Sequence, residues 1–92
     1  MMLPLMTTPD GLEVVYSDIR KDSKGKDFVR VYGERWNESK RRFDSFNIIF
    51  PDNSVEYDGF FNDNNVKELV EKIKGKSKLI WELAGEANAK LR

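Results

Sequence analysis

Three aromatic rings and a guanidinium alternate along one short segment, Phe28 to Trp36 (FVRVYGERW). Side chains of an extended strand point alternately to opposite faces. If Val29 and Val31 turn to a core, then Phe28, Arg30, Tyr32, Glu34 and Trp36 share the other face. That arrangement suits a platform for single-stranded nucleic acid, on which bases stack for roughly 1–3 kcal/mol each while cations follow the phosphates. The basic link Lys40-Arg41-Arg42 and the bases Lys21, Lys24 and Lys26 would flank the strand at its two ends. The candidate contacts are therefore Arg30, Tyr32, Trp36, Lys40, Arg41 and Arg42. The opposite facing also satisfies the alternation, and it is favoured by the area that aromatics bury. In that case the rings form the core and the valines serve strand propensity.

Other chemistry-bearing patterns are incomplete. Glu56 and Asp58 fall at i and i+2 on one strand face, where like charges can raise a carboxyl pKa. No aligned nucleophile or oxyanion donor accompanies them, so a solvated acidic face is the better account. A calcium loop centred on Gly59 would need its first ligand at Ser54 and its twelfth at Asn65, which is not the required Glu. Gly75-Lys76-Ser77 imitates the end of a phosphate-binding loop, yet Val70 stands where that loop needs its first glycine. The triplet Asn37-Glu38-Ser39 matches a glycosylation acceptor only by chance if the chain is not secreted. Trp81 lies off the main apolar stripe of its helix, with Gly85 and Asn88 at i+4 and i+7. A large ring beside a small residue can receive a partner helix or a symmetry mate, or it can equally cover a sheet edge.

The 92 residues contain no cysteine and no histidine. Disulfides, thiolate or imidazole metal ligands and the Ser-His and Cys-His nucleophile pairs are thereby excluded. The sequence points to a protein that is not an enzyme and holds no cofactor and no metal. The short apolar run at the N-terminus is broken by Pro4 and lacks a basic flank. It reads as neither a signal nor a membrane span, and the expected location is the cytoplasm.

Sixteen basic residues balance sixteen acidic ones, but the charges fall in blocks. Residues 1–19 carry −3, residues 20–42 carry +5, residues 43–71 carry −6 and residues 72–92 carry +4. A neutral domain with charge blocks favours steering towards a complementary protein, or self-association. Zero net charge argues against nucleic acid as the main partner, which the local basic block keeps as the alternative.

These patterns need elements to carry them. Residues 1–11 end in the turn-rich Thr7-Thr8-Pro9-Asp10-Gly11 and read as a loose arm before a single domain over 12–92. Four segments of period two follow, at 12–19, 28–36, 43–50 and 54–61. The turn Phe50-Pro51-Asp52-Asn53 joins the last two, with Asn53 suited to a left-handed conformation. Val66, Leu69, Val70 and Ile73 then repeat at helical spacing. Asp63 or a neighbouring Asn serves as the cap and Gly75 as a left-handed stop. A second helix after Ser77 turns Leu79, Ile80, Leu83, Ala84, Ala87 and Leu91 inward. Gly85 within it costs about 1 kcal/mol relative to Ala. The expected architecture is α+β: a four-stranded antiparallel meander with two C-terminal helices packed on one face.

The run Lys24-Gly25-Lys26, followed by Val29-Arg30-Val31 and Glu34-Arg35-Trp36, resembles the second hairpin of the positive-cofactor-type transcriptional coactivators. The resemblance covers about 20 residues. It implies four strands followed by a helix, and binding of single-stranded DNA as a dimer. The acidic third and fourth strands do not continue it. The leading functional expectation is therefore a non-enzymatic protein-interaction or regulatory module, working through its acidic or basic face or through Trp81 as its candidate contact.

Overall fold

The computed structural model describes residues 2–60 and 62–90. The chain is α+β: among the described residues six strands, β1 (Met2–Thr7), β2 (Glu13–Ser17), β3 (Arg20–Lys21), β4 (Asp27–Asn37), β5 (Arg42–Phe50) and β6 (Ser54–Asp58), precede α1 (Asn64–Lys74) and α2 (Ser77–Lys90). All pairings are antiparallel. The strand order is β1-β2-β4-β5-β6, with the short β3 paired to β4 outside that path.

The expected four-stranded meander is thus too small. Met2–Thr7, expected as an arm, adds a strand to β2, with its register shifting between Pro4 and Met6. A proline is tolerated there because β1 is an edge strand, which does not need every N–H for the ladder. Arg20–Lys21 supplies the sixth strand. The fourth segment stops early, at Asp58. Gly59 then takes φ +91°, and Phe60 also has a positive φ.

Strand alternation divides the sheet into two faces. Val14, Gly33, Phe46 and Tyr57 form one cross-strand row, and Tyr16, Val31, Ile48 and Val55 form the next. This face carries the core, in which Val29, Val31, Phe46, Ile48 and Phe50 meet Val66, Val70, Ile73, Ile80 and Ala84 from the helices. At roughly 25 cal/mol per Å2 of apolar surface removed from water, such side chains supply the main drive for the two layers to close. The opposite face is covered by neither helix.

Helix α1 starts as its sequence predicts. Asp63 accepts from the Val66 N–H at 3.1 Å, and Lys72 and Lys74 occupy the last turn at the negative end of the dipole. Its end differs from expectation. Gly75 has φ −66° and ψ −14°, so it is right-handed, and its N–H donates to the Glu71 carbonyl. The chain turns directly into α2 through Gly75 and Lys76, without the left-handed residue of a Schellman stop. In α2 the buried residues are Ile80, Ala84 and Ala87, with Leu83 half-buried. Leu79, expected inside, is 49% exposed, because it lies about 100° round the helix from that buried line. Leu91 lies outside the described residues.

Arg35 ties the ends of these layers together. Its Nη2 meets Asp63 at 2.6 Å, its Nη1 meets Asp10, and its guanidinium stacks 5.0 Å from the Phe60 ring centre. The Arg35 hydrogen bond is the first cause holding the Asp63 carboxyl below the usual carboxylate range, and Asp63 in turn raises Arg35. Asp10 is lowered first by its hydrogen bond from Thr8 and further by Arg35.

Candidate interaction surface

The facing of β4 is resolved in favour of the valines. Val29 and Val31 are 0% exposed, so Phe28, Arg30, Tyr32, Glu34 and Trp36 lie on the sheet face away from the helices. The expectation favoured by aromatic area, with these rings in the core, is overturned. Phe46 and Phe50 of β5, together with Phe60, supply the large core side chains instead.

The rings do not form a continuous platform. Glu13, Glu34, Ser45 and Asp58 make one cross-strand row, and it falls between the row of Tyr32 and the row of Trp36. Tyr32 and Trp36 are four residues apart, roughly 13 Å along a strand. The intervening carboxylates would repel a phosphate backbone bridging them.

The polar groups on this face are largely committed to one another. Arg30 Nε donates to Asn47 Oδ1 at 2.6 Å, and its guanidinium lies 5.4 Å from the centre of the Tyr32 ring. The Tyr32 hydroxyl donates to Glu34 Oε2 at 3.0 Å. Burial, followed by that hydrogen bond, raises the Tyr32 phenol above its ordinary value. The backbone N–H of Arg30 donates to the buried Ser17 hydroxyl, which itself donates to the Asp18 carbonyl.

The far end of the β4–β5 hairpin is different. Trp36 and Phe43 are cross-strand partners whose rings meet edge to face at 5.1 Å, tilted by 72°. They remain 46% and 53% exposed. The Trp36 indole N–H donates to Glu38 at 2.6 Å. The adjoining turn carries Lys40, Arg41 and Arg42, with Arg41 at φ +53°. Arg42 is paired with Asp58 and stands 3.8 Å from Asp44, whereas Lys40 and Arg41 make no ion pair among the described residues. Of the six residues expected to contact nucleic acid, Trp36, Lys40, Arg41 and Arg42 gather at this end. Arg30 and Tyr32 lie towards the middle of the strand.

Phe43 was not among the residues singled out from the sequence. As the first apolar residue of a strand it reads as core, and only its register opposite Trp36 shows otherwise. Asp44 was also missed. It is buried beneath Gly59 and accepts from Asn37 Nδ2 at 3.0 Å, while its Oδ1 has no hydrogen-bond partner among the described residues.

Trp81 is half-buried and packs against the core cluster. The rest of its helix face is engaged as well. Asn88 accepts from the Ile19 N–H at 2.7 Å and donates to the Ile19 carbonyl at 3.2 Å, and Gly85 lies beside the Ile19 side chain. This face of α2 therefore clamps the chain just beyond β2.

Among the described residues, no group of three or more acidic, histidine or cysteine side chains is placed to hold a metal ion. No described helix is long and apolar enough to cross a membrane. No family model, no curated protein and no solved structure matches the chain.

Proposed function

We propose that the protein is a non-enzymatic interaction module that engages a protein partner through the Trp36–Phe43 end of its open sheet face. The observation that carries this is the exposed edge-to-face aromatic pair, ringed by charges of both signs from Glu38, Lys40, Arg41, Arg42 and Asp58. Aromatic anchors within a mixed polar rim are the pattern of protein-binding hot spots. Single-stranded nucleic acid is the weaker alternative. The unpaired Lys40 and Arg41 favour it, while the carboxylate row between Tyr32 and Trp36 opposes it.

Two measurements test the proposal. Tryptophan emission is titrated with a short single-stranded oligonucleotide at low and moderate salt, and a flat response is expected. Salt-sensitive quenching that vanishes in Trp36→Phe would transfer the surface to nucleic acid. A photo-reactive phenylalanine analogue is then placed at position 43 and irradiated in extract of the source cells. A discrete protein adduct, lost when Trp36→Ala is added, is the expected result. No adduct, or an adduct indifferent to Trp36, would end the proposal.

A further inference from the structure

On the helical side of the sheet, the face opposite the Trp36–Phe43 pair, an apolar groove of about 710 Å3 runs between β1 and the α1–α2 turn. Leu5 and Met6 form one wall, Leu69 and Ile73 of α1 the second, and Leu79 and Ile80 of α2 the third. Met6 and Leu79 are 39% and 49% exposed, so the groove opens to solvent through its own apolar walls.

The charged side chains lining this groove are all of one sign. Lys72 and Lys76 stand in its lining, no carboxylate does, and neither lysine has an ion-pair partner among the described residues. The neighbouring Lys74, by contrast, is paired with Glu71 at 3.3 Å. The lining therefore presents an apolar floor with two uncommitted cations.

These features select among occupants. A second copy docking groove to groove would bring its own Lys72 and Lys76 towards the same pair, since an isologous contact repeats one patch. Strand addition along β1 is hindered by Pro4 and the irregularity beside it, both of which blunt a sheet edge. A nucleic acid would gain two phosphate contacts while facing a wall of leucine, isoleucine and methionine. An amphipathic helix meets every requirement, because apolar anchors at i, i+3 or i+4 fill a groove while its flanking residues face the rim.

We infer that this groove docks an amphipathic helical segment of a protein partner whose apolar stripe is flanked by Asp or Glu, with Lys72 and Lys76 pairing to those carboxylates. Opposite charge at the rim speeds encounter and rejects basic helices of the same shape.

The test is selection from a displayed library of random amphipathic helices on the intact protein, with counter-selection on Leu79→Asp. Leu79 is half-exposed, so the substitution is expected to leave the far-ultraviolet dichroism and unfolding midpoint near those of the parent, and both are recorded first. The expected consensus has apolar residues at helical spacing flanked by acids. Selected synthetic peptides should shift the amide resonances of Met6, Leu69 and Leu79 and should bind Leu79→Asp at least tenfold more weakly. The doubly reversed Lys72→Glu/Lys76→Glu protein should prefer the same peptides with their acids changed to lysine. A consensus without acids, peptides that bind Leu79→Asp equally well, resonance shifts confined to other surfaces, or no enrichment would each overturn the inference. So would concentration-dependent shifts of the groove resonances in the protein alone, which would mark a self-contact. The substitutions differ from those at Trp36 and Phe43, so failure at one surface is distinguishable from failure at the other.

Discussion

Gly33 of β4 lies directly beneath the ring of Phe46, its cross-strand partner in β5. A Cβ at position 33 would overlap Cε2 and Cζ of that ring and lie 3.1 Å from Cδ2. Phe46 is fully buried in the core, so its ring cannot swing aside into solvent. Gly33→Ala is therefore expected to destabilise the protein by about 1–3 kcal/mol, the usual cost of overpacking. Urea unfolding should show the loss, and Phe46→Leu added to Gly33→Ala should recover part of it. If the two effects simply add, the contact is not the cause.

Gly85 makes the opposite prediction with the same residue type. It lies within α2, where glycine costs about 1 kcal/mol relative to alanine. A Cβ there would meet only the Ile19 Cδ1, at an ordinary 3.9 Å. Gly85→Ala should raise stability by roughly 0.5–1 kcal/mol, read as a higher urea midpoint with an unchanged slope. A loss of stability would mean that α2 lies closer to Ile19 than its backbone indicates.

The ion pair of Arg35 with Asp63 predicts an acid-sensitive contribution to stability. The folded Asp63 carboxyl is held below its ordinary value, first by the Arg35 hydrogen bond and further by the Val66 N–H, against the opposing effect of burial. The unfolded chain then binds its proton more readily than the native one. The contribution is fully present above about pH 4 and fades as the pH falls through the lowered native value. Asp63→Asn should flatten the stability profile below about pH 4, while retaining much of the cap because Asn also accepts from the first turn. Arg35→Met should flatten it too, and should also loosen Asp10. Equal acid sensitivity in parent and variants would show that other carboxylates dominate.

How much of this was readable from the sequence depends on whether one residue pattern had one physical meaning. Val66, Leu69, Val70 and Ile73 after Asp63 admit only a capped amphipathic helix, and α1 follows them. Asn53 after Pro51-Asp52 asked for a left-handed turn residue, and it has φ +56°. Along β4, aromatic and valine positions alternate and both sets can be core, so period two alone could not orient the strand. The decision came from Phe46, Ile48 and Phe50 across the sheet, which are distant in sequence. Met2–Thr7 lacks alternation and contains Pro4. It is a strand because the outer edge of β2 takes it as a partner, a tertiary effect with no local signal. The groove was hidden for the same reason, since Met6, Leu69 and Leu79 come together only when three separate elements meet.

Asn88 ties α2 to Ile19, just beyond β2, whereas Trp81 packs against the core cluster, and their removal should cost stability for different reasons. Asn88→Ala would strip the Ile19 N–H and carbonyl of their partners in a half-buried setting, at about 1–3 kcal/mol. Trp81→Ala removes a ring that is only partly buried, so roughly 2 kcal/mol is expected, below the ~3–5 kcal/mol typical of a fully buried ring. Hydrogen exchange should localise the Asn88 effect to the 17–21 segment and α2. A Trp81→Ala protein of parental stability would instead release that ring from the core and return it to the set of contact candidates.

The Trp36–Phe43 pair separates a binding surface from a structural one. Edge-to-face aromatic contacts contribute ~0.5–1.5 kcal/mol beyond the area they bury. Both rings here are about half-exposed and lie on the sheet face opposite the core. Phe43→Ala should therefore lower stability by less than about 1 kcal/mol, while shifting Trp36 emission to the red as that indole loses its neighbour. Trp36→Phe retains an aromatic pair and should cost less still. A cost of several kcal/mol from either change would mean that the pair holds the β4–β5 hairpin closed. Trp36 and Phe43 would then be part of what keeps β4 and β5 in register, and the exposed rings could not be given up to a partner without unzipping the strands that present them.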